Sequence, residues 1–132
     1  MLEIELRATG VAQVQTRLAR MVTAVGPAVD AVTERGAYRL RDYIQEEIRR
    51  QGLVETGAYL NSWSVVPLGR GRWAVVSDAP QSDRLEYGFV AVDSLGRSYA
   101  DPPRAHRRPA IDRATEKYRD DLAKVIPLLW HR

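Results

Sequence analysis

Apolar and polar residues change their spacing several times along this chain, and each change predicts an element. Leu2, Ile4 and Leu6 alternate with Glu3, Glu5 and Arg7, a period of two that predicts a strand with one buried face. Thr9-Gly10 closes it, with Thr9 placed to cap the next element. Val11, Val14, Leu18, Met21 and Val25 then recur at steps of three and four, the stripe of an amphipathic helix. Gly26-Pro27 is expected to end that helix, with the proline in the first turn of a second one. The second carries Val29, Val32, Leu40, Tyr43, Ile44 and Ile48 on its apolar side. Glu46, Glu47, Arg49 and Arg50 fall on its outer face, and Gly52 suits its C-terminal cap.

The spacing then turns strand-like. Thr56-Gly57 begins a short polar-capped turn reaching Leu60, and residues 63–68 and 73–77 flank Gly69-Arg70-Gly71. Short glycine-containing spacers between β-rich runs predict a hairpin. Residues 78–88 read as a turn-rich connection. Residues 89–92 and 97–100 form either a smaller hairpin around Ser94-Leu95-Gly96 or a mobile loop, followed by the stiff spacer Asp101-Pro102-Pro103. Pro109 opens a last helix with Ile111, Ala114, Tyr118, Leu122 and Val125 on one side. Pro127 is expected to stop or kink it and to leave Leu128, Leu129 and Trp130 as an apolar tip. The order predicts an α+β fold: an N-terminal strand and two helices, a small antiparallel sheet with a β-hairpin, and a C-terminal amphipathic helix. A single domain spans 1–132, with 89–103 a variable loop and 127–132 a C-terminal tail.

Composition narrows the chemistry more than the fold. The 132 residues are 45% apolar and 28% charged, enough to bury a core. No run approaches the ~18 apolar residues of a membrane helix. The first residues lack the apolar core of a signal peptide, so synthesis and retention in the cytoplasm are expected. There is no cysteine, which removes disulfides, thiolate catalysis and cysteine-based zinc sites. His106 and His131 are the only histidines, and no clustered acidic spacing suggests a metal or other cofactor. The net charge of +3 comes almost wholly from arginine, with Lys117 and Lys124 the only lysines. Arginine suits protein interfaces, though codon usage in a GC-rich genome explains the same bias.

Catalytic patterns are missing. Ser62 and Ser94 lack the glycine-flanked elbow that exposes a nucleophile. Gly69-x-Gly71 has neither the third glycine nor the lysine of a phosphate loop. Glu46-Glu47 and Asp120-Asp121 are adjacent, so their side chains diverge and read as solvated groups or arginine partners. The chain reads as a non-enzyme. Arg104, Arg107 and Arg108 surround His106. That cluster is narrow for a nucleic-acid face and reads better as a salt-bridge group ahead of a helix. Trp63 and Trp73 are expected to pack in the core or across the hairpin, whereas Trp130 marks a partner surface or folds back on the sheet.

Three pieces in order resemble the neck or tail-completion proteins of siphophages, the head–tail joining and minor tail-component family. They are Thr56-Gly57-Ala58-Tyr59-Leu60-Asn61-Ser62, then Glu86-Tyr87-Gly88 after Leu85, then Arg108-Pro109-Ala110 before the last helix. The resemblance covers about residues 28–126. The chain departs from the family pattern at Phe89, where a threonine is usual, and at Ala105-His106-Arg107, where a proline–aromatic pair is usual. The resemblance implies a structural subunit with no cofactor. It would sit in a ring below the portal, of six copies or else twelve, through which DNA passes without sequence-specific binding. Partners implied are further copies of itself, portal-side adaptor or head-closure proteins, and the tail terminator or tail tube, with no membrane. The expected location is the virion, after assembly in the host cytoplasm. Phe89, Leu95, Tyr99, Arg104, Arg107 and Trp130 are the residues expected to meet neighbouring subunits. A tail terminator or other minor tail protein, and a small nucleic-acid-binding module using Arg104, Arg107, Arg108 and Arg113, are the alternatives.

Overall fold

The computed structural model describes residues 9–53 and 57–130. The strand expected over residues 2–7, Thr56 and His131 lie outside the described residues. The rest is an α+β fold of three helices and two small antiparallel sheets.

The first helix, α1 (Val11–Arg50), is one continuous rod of 40 residues, about 60 Å long at 1.5 Å per residue. Two helices divided at Gly26-Pro27 were expected, and the physical reason for the difference is local. A proline withholds one N–H and strains the residue before it. Here the preceding residue is Gly26, which has no Cβ to clash, and Pro27 and Thr23 lie on the exposed side, where water can reach the freed carbonyl. The apolar seam also crosses Pro27 without losing phase: Met21, Ala24 and Ala28 all pack against one cluster, Val32 with Val125 and Leu129. Gly10, not Thr9, occupies the N-cap, with φ of 79° and no side-chain cap. At the other end Leu53 N–H bonds the Ile48 carbonyl (2.9 Å) and Gly52 N–H the Arg49 carbonyl (3.1 Å). That pair is a Schellman closure, and it needs the left-handed Gly52, at φ 67°.

A 3-10 turn at Leu60–Ser62 leads into β1 (Ser64–Gly69), which pairs with β2 (Arg72–Val76) from Ser64↔Val76 to Gly69↔Arg72. The expected hairpin is present. Its tip is fixed to α1 by Asp30, whose Oδ1 accepts from Gly71 N–H (2.8 Å) and Trp73 Nε1–H (3.2 Å). The stretch expected to be a turn-rich connection contains a helix, α2 (Gln81–Tyr87). Seven residues offer too little periodicity to predict it, but Ser82 and Glu86, four apart, are both buried on its inner side. Then β3 (Phe89–Val92) pairs with β4 (Ser98–Asp101), so of the hairpin and the loop the structure contains the hairpin.

The last helix, α3 (Arg107–Trp130), continues through Pro127. The expected stop does not occur, again because Pro127 and Ala123 face outward while Val125 and Leu129 are held against α1. The tail 127–132 is therefore helical as far as Trp130. Its tip is divided: Leu129 is buried, Leu128 is exposed, and the Arg17 guanidinium lies 5.6 Å from the ring centroid of Trp130.

α1 and α3 run antiparallel. Val32 meets Val125 and Leu129 near one end, and Ile44 and Ile48 share a cluster with Ala110 near the other. Between them Tyr118 covers Gly36, where any Cβ would stand 3.1 Å from the ring, and the Thr33 and Tyr118 hydroxyls are 2.7 Å apart. Arg39 pairs with Asp121 at 2.7 Å and holds that carboxyl below its ordinary pKa. The main core joins Ile44, Ile48, Leu53, Tyr59, Trp63 and Ala110. A fully buried isoleucine such as Ile48 contributes roughly 1.5–3 kcal/mol.

Candidate functional site

The site begins with a problem common to helices. The first backbone positions of α3 have N–H groups without intrahelical acceptors. Glu86, on α2, supplies the acceptor. Its Oε2 accepts from His106 N–H (2.9 Å) and Arg107 N–H (2.9 Å), and its Oε1 from Arg108 N–H (3.1 Å). The next residue is Pro109, which has no N–H to satisfy. One carboxylate and one proline thus account for all four positions, and the negative charge lies at the positive end of the helix dipole. Burial alone pushes the Glu86 carboxyl up. The N–H groups of Arg107, His106 and Arg108 outweigh it and hold the pKa below its ordinary 4.5.

The same junction contains His106, which is fully buried. Its Nδ1 is 3.0 Å from the Arg104 carbonyl. A carbonyl only accepts, so Nδ1 carries the hydrogen, and in the neutral ring Nε2 is left to accept from the Tyr59 hydroxyl. The two rings meet edge to face, and Tyr59 in turn tilts against Trp63. Burial pushes the Tyr59 hydroxyl above its ordinary pKa. A second link ties the same loop to α1: Gln51 Nε2–H donates to the Ala105 carbonyl (2.7 Å) and to Glu47 (3.2 Å). Glu47, expected on the outer face, is buried, and its bond from Arg50 holds its carboxyl low.

Gly88 forms the base of the second hairpin. At φ 72° a Cβ there would fall 2.6 Å from the Asp101 carbonyl oxygen and 2.8 Å from the Pro103 nitrogen. Only glycine permits both the angle and the approach. The chain leaves for β3 and returns from β4 at this point, so Gly88 pins the hairpin beside Glu86.

The three motif pieces therefore meet. Glu86 bonds the backbone that precedes Pro109 and Ala110. Tyr59, between Gly57 and Leu60, bonds His106. Gly57 has φ of 81° and turns the chain, and Leu60 offers its carbonyl to Gln45 Nε2–H (3.1 Å). Ser62 donates to the Tyr59 carbonyl (2.6 Å), and its hydroxyl is 2.6 Å from that of Ser77. Tyr87 points outward, with the Arg107 guanidinium 5.3 Å from its ring centroid.

The residues expected at neighbour contacts do not form one cluster. Phe89 and Tyr99 stack edge to face on the second hairpin, Leu95 is exposed at its tip, and Trp130 lies at the far end of α3. Arg107 pairs with Asp83 (3.1 Å), and Arg113 pairs with Glu46 (3.1 Å) and lies over the Tyr43 ring. Arg104 contributes backbone: its N–H donates to the Leu85 carbonyl (2.6 Å). Sequence reasoning named Tyr59 only within a motif piece, read Glu47 as a solvated group or an arginine partner, of which the Arg50 pair is the second, and read His106 as packed or exposed without giving it a partner. The available signal was indirect: a histidine and a proline flanking a helix start, with no cap residue between them.

Chemically the arrangement caps, packs and positions. No described group of three or more histidine or acidic side chains could hold a metal ion. No described helix is long and apolar enough to cross a membrane. Comparison with protein-family models, curated proteins and solved structures finds no match for this chain.

Proposed function

We propose that this chain is a structural subunit of a phage head–tail connector, one copy of a neck ring through which DNA passes. One observation carries the reading. The three separated pieces that resemble the siphophage neck family converge on a single buried junction of Tyr59, His106 and Glu86. Their role there is architectural. They fix the start of α3, the end of α1 and the base of the second hairpin relative to one another. Such a junction suits a part whose work is to hold its surfaces in fixed relation to its neighbours, and its hydroxyl–base pair, Tyr59 with His106, is buried away from any substrate. On this reading the chain is not an enzyme and needs no cofactor. Its partners are further copies of itself, portal-side adaptor or head-closure proteins, and the tail terminator or tail tube. It acts in the virion after assembly in the host cytoplasm, with six copies favoured over twelve.

The same frame serves a tail terminator equally well, and position in the particle separates the two. The nucleic-acid reading is weakened, because Arg107 and Arg113 are engaged by Asp83 and Glu46. The test is cryo-electron microscopy of the phage particle that carries this chain. Ring density between portal and tail tube is the expected result; density at the tail-tube end instead supports the terminator. Absence from every purified particle overturns the connector.

A further inference from the structure

Among the described residues, two surfaces lack the layer that would complete them. The first is the N-terminal part of α1. Val11, Val14 and Leu18 are each nearly half exposed and Val22 is 74% exposed, yet the stripe is in phase with Met21, Ala28 and Val32, which α3 covers. α3 ends beside Arg17, whose guanidinium lies over Trp130, so the stripe runs on past it through Val14 and Val11, and Leu18 and Val22 flank its last turn. The second is the hairpin β3–β4. Its two strands pair with each other, and Arg84 of α2 lies over the Phe89 ring on one face. Cross-strand pairing puts Val90 and Val92 on one face with Ala100 and Ser98, and Val90 is 77% and Val92 66% exposed. A two-stranded ribbon is marginal alone.

The two surfaces complement each other. One is a helix stripe without a sheet, and the other is a sheet face without a helix, the two layers that pack together in α+β domains. Their charges are opposite. Residues 9–29 carry Arg17 and Arg20 and no acid, whereas the hairpin, residues 89–101, carries Asp93 and Asp101 against Arg97, which pairs with Asp93 at 2.7 Å. They cannot meet within one chain. The hairpin is rooted at Gly88 beside the Tyr59–His106 junction, at the α1 end where Ile48 and Ala110 pack. Thirty residues of helix separate Leu18 from Ile48, about 45 Å, and a four-residue strand reaches only about 14 Å.

We infer that the β3–β4 hairpin of one copy docks its Val90–Val92 face on the N-terminal stripe of α1 in a second copy. Unlike patches at opposite ends make a heterologous contact, which propagates head to tail and closes into a ring when the rotation permits. The inference deepens the ring reading and rests on it for closure, but the contact itself is a property of the purified chain.

Sedimentation velocity of the full chain tests it with Val22→Glu on the stripe and Val90→Glu on the hairpin, and with Leu18→Glu as a second stripe variant. All three positions are exposed, so far-ultraviolet circular dichroism and melting should match the parent chain. Expected are oligomers for the parent chain, loss of every species above monomer for each variant alone, and a one-to-one dimer when the Val22→Glu and Val90→Glu chains are mixed. The mixture retains one intact hairpin and one intact stripe, and so one working contact. A mixture that stays monomeric overturns the inference, as does a parent chain that is monomeric at every concentration reached. Loss of assembly with the stripe variants but not with Val90→Glu also overturns it, pointing to a stripe-to-stripe coiled coil. The particle reading fails separately: complementation in solution with the chain absent from particles keeps this contact and removes the connector.

Discussion

The two halves of α1 follow the same three-and-four spacing and have different surroundings. From Val32 to Ile48 the apolar side is covered by α3, the first hairpin and Tyr59, and Ile44 and Ile48 are almost wholly buried. From Val11 to Val25 only Met21 and Ala24 reach the α3 cluster and Arg17 meets Trp130; Val11, Val14, Leu18, Val22 and Val25 are exposed. Periodicity states which face of a helix is apolar, not what covers it. In the covered half the polar groups are also internal: Glu86, His106, Gln51 and Glu47 bond one another or nearby backbone. In the open half the only described side-chain hydrogen bonds are Thr16 and Thr23 to the carbonyl four residues back. One end is a fixed frame, and the other is a surface to be used.

Substitutions in the frame should therefore lower stability, and those on the open stripe should not. The largest loss is expected for Glu86→Gln. The amide loses the charge and presents an NH2 to backbone donors, leaving buried N–H groups unbonded at a cost of roughly 3 kcal/mol. The same carboxylate sets the response to acid. Its folded pKa is depressed, so its contribution is present above about 4.5 and is lost as pH falls through the folded value. Denaturant titrations of parent and variant should therefore draw together as pH falls below 4.5 and converge once it passes the depressed folded value. Next comes Gly88→Ala, which must both hold a positive φ and move Asp101 or Pro103, at about 2 kcal/mol or more. Tyr59→Phe leaves His106 Nε2 buried without a partner and should cost about 1–2 kcal/mol, read as a lower melting temperature. Smallest is Val22→Glu, for which melting of the dilute chain should change by less than ~0.5 kcal/mol. A large loss there would mean that the stripe is already covered within the monomer.

Much of this frame was legible in the sequence, for reasons that differ by element. The C-terminal half of α1, the first hairpin and α3 carry long periodic signals, and Gly52 and Pro109 mark ends through backbone chemistry that single residues reveal. Pro27 and Pro127 misled for one reason. A proline on the exposed side of a helix held by packing on the other side removes a single hydrogen bond, and the sequence does not state which side will be held. The junction was half legible. Glu86, Gly88 and Pro109 belong to the resemblance, but the bonds joining Tyr59 to His106 and Glu86 to α3 connect residues 47 and 20 positions apart. No local pattern encodes such a distance, and a buried histidine in an arginine-rich segment looks like part of a charged loop.

Amide hydrogen exchange on the purified chain, at low and high protein concentration, tests the division most directly. The frame and the open stripe are then read in one experiment. The structure requires slow exchange at His106, Arg107 and Arg108 and across residues 44–48 at both concentrations. Residues 11–25 and 89–101 should exchange quickly in the dilute chain and slow together as copies associate. Free exchange at residues 106–108 would contradict the Glu86 clamp, and strong protection of residues 11–25 in the dilute monomer would contradict the open stripe.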